Sequence, residues 1–154
     1  MKLEELIMSI KRGLGSLSCR ESIVYCVIYG STARGHARST SDVDIGLRIK
    51  DGSSGLSIKV EAILAFSRVL SLPEDLVDVK VFRASDISSS PLFFYEMLSE
   101  AVFVEGDEGA FLEDLVRAAM LYADLKIQLK KARSVERYIE ALGEAVRRWE
   151  SSQA

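Results

Sequence analysis

The chain has 154 residues, 48% of them hydrophobic and 28% charged, with a formal net charge of −3. One domain with a real core is expected at that length, and the weak negative charge excludes a strong basic field for holding long nucleic acid non-specifically. No signal peptide is read and no apolar run nears the roughly 20 residues of a spanning helix; Cys19 and Cys26 lack metal-ligand spacing and read as reduced thiols, so a cytoplasmic protein is expected.

Leu3, Leu6, Ile7, Ile10 and Leu14 recur at helical spacing and predict an amphipathic first helix, ended by Gly13 and Gly15. A polar link over 16–22 leads into the apolar, β-branched run Ile23 to Tyr29, a strand. The turn Gly30-Ser31 follows, then ten residues, then Asp42-Val43-Asp44 at the mouth of a second strand running from about Val43 to Ile49. Asp51 to Gly55 reads as a flexible turn, and Ser57 as the N-cap of a helix striped by Ile58, Ala62, Ala65, Phe66 and Val69 that Pro73 stops. Leu76 to Phe82 is a third strand, Ser88 to Pro91 a loop, Leu92 to Glu100 a short helix and Ala101 to Glu105 a last strand. After the turn Gly106 to Gly109, the segment from about Phe111 to Trp149 reads as one helix broken near Ser134 or two packed as a hairpin. Its stripe of Val135, Tyr138, Ile139, Leu142, Val146 and Trp149 either packs on the domain's own sheet or first helix, or forms a homodimer or partner surface.

The second strand carries the chemistry. Side chains alternate along a strand, so Asp42 and Asp44 share one face while Val43, Ile45, Leu47 and Ile49 share the other. Carboxylates two apart on a strand sit roughly 6–7 Å apart at the Cα, a spacing that suits Mg²⁺, which takes one or two carboxylates, keeps waters and completes its shell with phosphate oxygens. Gly30 lets backbone come close to a ligand, and Ser31 is expected to N-cap a helix over Thr32-Ala33-Arg34 whose N–H groups favour an anion. The expected ligand is a nucleoside triphosphate between that turn and the metal. Arg34 and Arg38 contact phosphate or face water, as does Lys80; His36 reads as a solvated loop residue and Cys26 as packing.

Gly30-Ser31 before Asp42-Val43-Asp44 resembles the signature of the DNA polymerase β-like nucleotidyltransferases, and Gly-Ser-x-Ala-Arg-Gly before Ser-Asp-x-Asp resembles their minimal nucleotidyltransferase (MNT) branch. The resemblance implies a third carboxylate on a later strand, and Asp78 stands at a matching place, sharing a face with Lys80. It further implies an α/β (α+β) nucleotidyltransferase fold: a small mixed sheet, flanking helices and a C-terminal helical segment, with residues 1–154 as one domain, about 1–106 the catalytic core and about 107–151 the C-terminal helix or hairpin. On this reading Asp42, Asp44 and Asp78 hold Mg²⁺, two ions roughly 3.5–4 Å apart, and Gly30, Ser31 and Arg34 bind the nucleotide. An acceptor hydroxyl attacks the α-phosphorus of ATP in line and pyrophosphate leaves, with Asp78 as ligand or base near the acceptor.

The MNT proteins that the chain resembles are the MntA-type antitoxins of HEPN/MNT pairs, which implies a HEPN ribonuclease as partner and AMP transfer to one of its tyrosines. Two alternatives stay open. One is a small-molecule, aminoglycoside-type nucleotidyltransferase with Glu96, Glu100, Glu105, Asp107 and Glu108 lining an acidic pocket; the other is a non-catalytic module that only masks a partner.

Overall fold

The computed structural model describes residues 1–35 and 42–153. His36 and Arg38 therefore lie outside the described residues, as do Ser39, Thr40 and Ser41.

The elements follow the apolar patterning. Helix α1 (Leu3–Gly15) leads through a short 3₁₀ turn to β1 (Ile23–Tyr29), and a single helical turn, α2 (Gly30–Ala33), comes directly after. Then come β2 (Val43–Ile49), α3 (Gly55–Leu70), β3 (Val77–Phe82), α4 (Ala84–Ser89), α5 (Pro91–Ser99), β4 (Val102–Gly106) and α6 (Glu108–Ser152). Among the described residues the strands form one mixed sheet in the order β3-β2-β1-β4. β1 runs antiparallel to both β2 and β4, while β2 and β3 are parallel, joined through α3. This is a mixed α/β arrangement with a helical C-terminal segment.

Strand alternation divides the core between the two faces of the sheet. On one face Cys26, Ile28, Ile45, Leu47, Ile49 and Val79 are fully buried in the cluster that Ile10 and Leu14 of α1 and Ala62 and Phe66 of α3 complete. Fully burying side chains of this size stabilises by about 1.5–3 kcal/mol each relative to exposure. On the other face Tyr25 packs edge-on to Phe82 and Phe111 at 6.1 and 5.5 Å between ring centroids, and Phe82 meets Phe94 of α5 at 5.0 Å. The first turns of α6 dock on this second face. Asp114, buried, accepts hydrogen bonds from the Tyr25 hydroxyl at 2.7 Å and from Nε of Arg48 at 3.0 Å.

Several local expectations change. Gly13 does not end α1; a Cβ there would stand 2.8 Å from Phe66 and 3.2 Å from Val69, so the glycine is what lets α1 and α3 approach. α3 begins at Gly55 with Ser54, not Ser57, in the N-cap position, and it stops at Leu70 on the left-handed Ser71, ahead of Pro73. The serine-rich stretch expected as loop contains α4, whose N-terminus is closed by the Asp86 carboxylate accepting from the Arg83 N–H at 2.8 Å. α6 runs unbroken through Ser134, so there is neither break nor hairpin: the Ser134 hydroxyl bonds back to the Lys130 carbonyl at 3.0 Å and leaves the helix intact.

The chain divides into two compact units, Met1–Ala119 and Met120–Ala154, so the first reaches past residue 106 to take in the start of α6. In the second, the stripe residues Val135, Tyr138, Ile139, Leu142, Val146 and Trp149 are 48–66% exposed. No helix among the described residues is long and apolar enough to cross a membrane.

Candidate active site

The second face of the sheet changes character along its length. Arg48 is tied to Asp114, and Gly46 is covered by α5: a Cβ on Gly46 would collide with Met97 and Val27. Two residues further toward the start of β2 the cover ends and Asp44 emerges. The register places Asp44 between Tyr29 of β1 and Asp78 of β3, so the two carboxylates occupy neighbouring positions on parallel strands. Lys80, next along this face of β3, reaches over the Phe93 ring at 5.5 Å.

The turn after β1 closes over this pair. Gly30 has φ +71°, a left-handed backbone that costs a glycine little. Its missing side chain matters as much, because a Cβ at Gly30 would overlap the Asp44 carboxylate. Ser31 sits inside the turn of α2, with Tyr29 in the N-cap position and no side-chain cap, so the expected capping role for Ser31 is not seen. What the turn offers instead is backbone: the first N–H groups of a helical turn have no carbonyl one turn earlier to bond.

Electrostatics mark Asp44 as the strained group. Its pKa is raised from 3.8 to about 6, first by burial, then by the charges of Asp78 and Asp42 and a hydrogen bond with Asp78, with Arg34 acting in the opposite direction. Tyr29 was not singled out from the sequence, yet burial and the charges of Asp78 and Asp44 push its phenol above its ordinary value. The available signal was its place as the last strand residue before the glycine turn. Thr32, also unforeseen, is buried and donates from its hydroxyl to the Asp42 carbonyl at 3.4 Å, joining the turn to the start of β2.

The candidate residues are not all gathered equally. Asp44, Asp78, Gly30 and Ser31 come together at one end of the sheet. Asp42 is exposed, one residue before β2 and near enough to act on the Asp44 charge, but among the described residues no three His, Cys, Asp or Glu side chains converge as a closed metal cluster. Arg34 pairs with Glu100 of the α5 C-terminus at 2.8 Å, both about half exposed. The donor set still fits a hard divalent cation: adjacent carboxylates whose mutual repulsion raises a pKa are relieved by Mg²⁺, which prefers such oxygens.

Residues 15–108 match the family model described as "Polymerase beta, Nucleotidyltransferase". The chain belongs to this nucleotidyltransferase family. Among curated proteins none matches the sequence. Among solved structures, the nucleotidyltransferase resembles a chain of a toxin–antitoxin crystal structure with AMP-PNP, at 16% identity, TM-score 0.60, covering 81% of this chain and 93% of that one. It also resembles a chain of the toxin–antitoxin MntA–HepT, at 14% identity and TM-score 0.57, over 83% and 93% of the two chains. A third likeness is to a chain of the tri-AMPylated Shewanella oneidensis HEPN toxin in complex with MNT antitoxin, at 14% identity and TM-score 0.57, over 82% and 93%. At these identities the likeness is one of fold.

Proposed function

We propose that this nucleotidyltransferase moves AMP from ATP onto a tyrosine hydroxyl of a HEPN-type ribonuclease toxin in the cytoplasm and thereby acts as its antitoxin. The observation that carries the proposal is Asp44 in register with Asp78 directly beneath the Gly30 turn. The fold shared with chains from toxin–antitoxin crystals, one with AMP-PNP and one with an AMPylated toxin, supports the choice of donor and acceptor.

In this proposal Asp42, Asp44 and Asp78 would hold Mg²⁺, two ions in the full site, which when bound neutralises triphosphate charge and acidifies the acceptor hydroxyl. The chain's own contributions are distinct. Backbone N–H groups at Gly30 and Ser31 receive phosphate oxygens, and Gly30 keeps that surface free of a side chain. Arg34, released from Glu100, adds positive charge beside the phosphates. Asp78, the more exposed of the strand pair, faces the acceptor and takes the proton of the tyrosine hydroxyl as its oxygen bonds to the α-phosphorus and pyrophosphate departs. Incubation of the chain with α-labelled ATP, Mg²⁺ and a HEPN-type toxin protein tests the proposal: label is expected on the HEPN protein, and none with Asp44→Ala.

One observation favours a second reading. Glu96 and Glu100 line a cavity of about 390 Å³ with Arg34, Tyr95 and Ser99, which would suit a cationic small-molecule acceptor. Two of the other acidic residues expected in such a pocket are engaged elsewhere: Glu105 pairs with Arg20 and Asp107 caps the Ala110 N–H. Transfer to an aminoglycoside but never to protein would establish that reading, and tight masking of the HEPN partner without any transfer would leave a binding module.

A further inference from the structure

The second unit, Met120–Ala154, carries an apolar pattern of its own. At a period of 3.5 residues, Leu121, Leu125, Gln128, Ala132, Val135, Ile139, Leu142, Val146 and Trp149 fall on alternating d and a positions of consecutive heptads. Eight of these nine residues are apolar, over 29 residues and so roughly 43 Å of helix. Sustained a/d patterning over this length is the signature of a coiled-coil seam, flanked by Leu129 at e and Tyr138 at g, with Ile127 apart from it at c. Five of these side chains, Val135, Ile139, Leu142, Val146 and Trp149, are between 48 and 64% exposed. The flank opposite the seam carries Lys126, Lys130, Arg133 and Arg137, which belongs in water.

We infer that this part of α6 pairs with the same segment of a second copy of the chain, parallel and in register, as a two-stranded coiled coil. Charge and polarity select that occupant. In a parallel pair, g of one heptad meets e of the next on the partner; Lys131 at g then meets Glu136 at e of the second copy, once on each side of the seam. Neither residue has an ion-pair partner within the chain among the described residues, and no other g–e contact along the segment joins two like charges. The polar seam residue agrees: in register, Gln128 faces its own copy, and a carboxamide both donates and accepts, so the two amides satisfy each other. Any shift of register sets Gln128 against Leu121 or Val135 and strands it.

Sedimentation of the full chain at micromolar concentration tests this without reference to nucleotide transfer. The expected mass is twice 17.0 kDa. Ile139→Asp places a charge in the seam and is expected to weaken the dimer roughly a hundredfold or more; circular dichroism of the same variant reports whether the core stays folded. Glu136→Lys sets like charges against Lys131 and is expected to weaken it several-fold at low salt, with Lys131→Glu in the same chain restoring it. A monomer at these concentrations, a dimer indifferent to Ile139→Asp, or a seam that binds only a different protein would overturn the inference. Indifference to both charge variants would overturn the parallel register.

Discussion

Asp44 and Asp78 stand side by side on parallel strands, beneath a glycine whose absent side chain leaves room for the Asp44 carboxylate. Placing two acids together costs stability, and that cost is measurable. Asp44 holds its proton up to about pH 6 in the folded chain against an ordinary 3.8. Between these values the native state binds more protons than the unfolded one, so stability falls as pH rises through that window. Asp44→Asn is therefore expected to stabilise the metal-free protein at pH 7.5, by on the order of 1 kcal/mol after allowing for solvent screening of a half-exposed group, and to give no gain at pH 4. Urea denaturation of both proteins at the two pH values measures it.

Mg²⁺ should reverse that ordering. The cation relieves the same repulsion, so it is expected to raise the melting temperature of the native sequence and leave Asp44→Asn unmoved. A thermal scan with and without Mg²⁺ reads the difference without any assay of transfer.

Gly30→Ala tests the turn. The substitution both forces an alanine into φ > 0 and drives a methyl group against Asp44, so a loss of about 1–3 kcal/mol is expected together with loss of transfer. Gly35→Ala is the control: it has a similar positive φ but open space around the Cβ, and it should lose only the backbone part.

Arg34 and Glu100 separate a phosphate contact from a surface pair. Their ion pair is about half exposed on both sides, so either alanine variant should change stability by no more than about 0.5–1 kcal/mol. Arg34→Ala is expected to raise the KM for ATP, whereas Glu100→Ala should leave it unchanged or lower it, since it frees the guanidinium. Steady-state kinetics of the two variants decides.

Asp114 is expected to matter for stability alone. Asp114→Ala leaves Arg48, whose side chain is only 14% exposed, without its carboxylate, and removes the acceptor of the buried Tyr25 hydroxyl. A loss of about 3–5 kcal/mol follows for breaking a buried pair from one side. Chemical denaturation measures it, and transfer assayed well below the melting point should be retained.

How far such features could be read from the sequence depended on the range of the forces behind them. Strands β1 and β2 announce themselves because Ile23 to Tyr29 and Val43 to Ile49 combine β-branching with alternation, both local properties. Asp44 was visible in the same way, and Asp78 through a family pattern on an alternating strand. That Asp78 stands level with Asp44 follows from the parallel pairing of β2 and β3, which no local pattern encodes. The Tyr25–Asp114–Arg48 network joins residues up to 89 positions apart and needs both the sheet register and the phase of α6. The Gly13 contact with Phe66 was misread for the related reason that a glycine near a helix end looks like a terminator until the facing helix is known. α4 was hidden by serines, and continuity through Ser134 by the same residue's ambiguity between cap and helix interior.

The most direct test is the intact mass of a HEPN-type toxin, the proposed partner, after incubation of the two purified proteins with ATP and Mg²⁺, with Asp44→Asn in parallel. A gain of one or more AMP masses on the HEPN protein, located to a tyrosine and absent with Asp44→Asn, is the predicted result. A HEPN protein that binds the chain tightly while its mass stays unchanged would contradict the account.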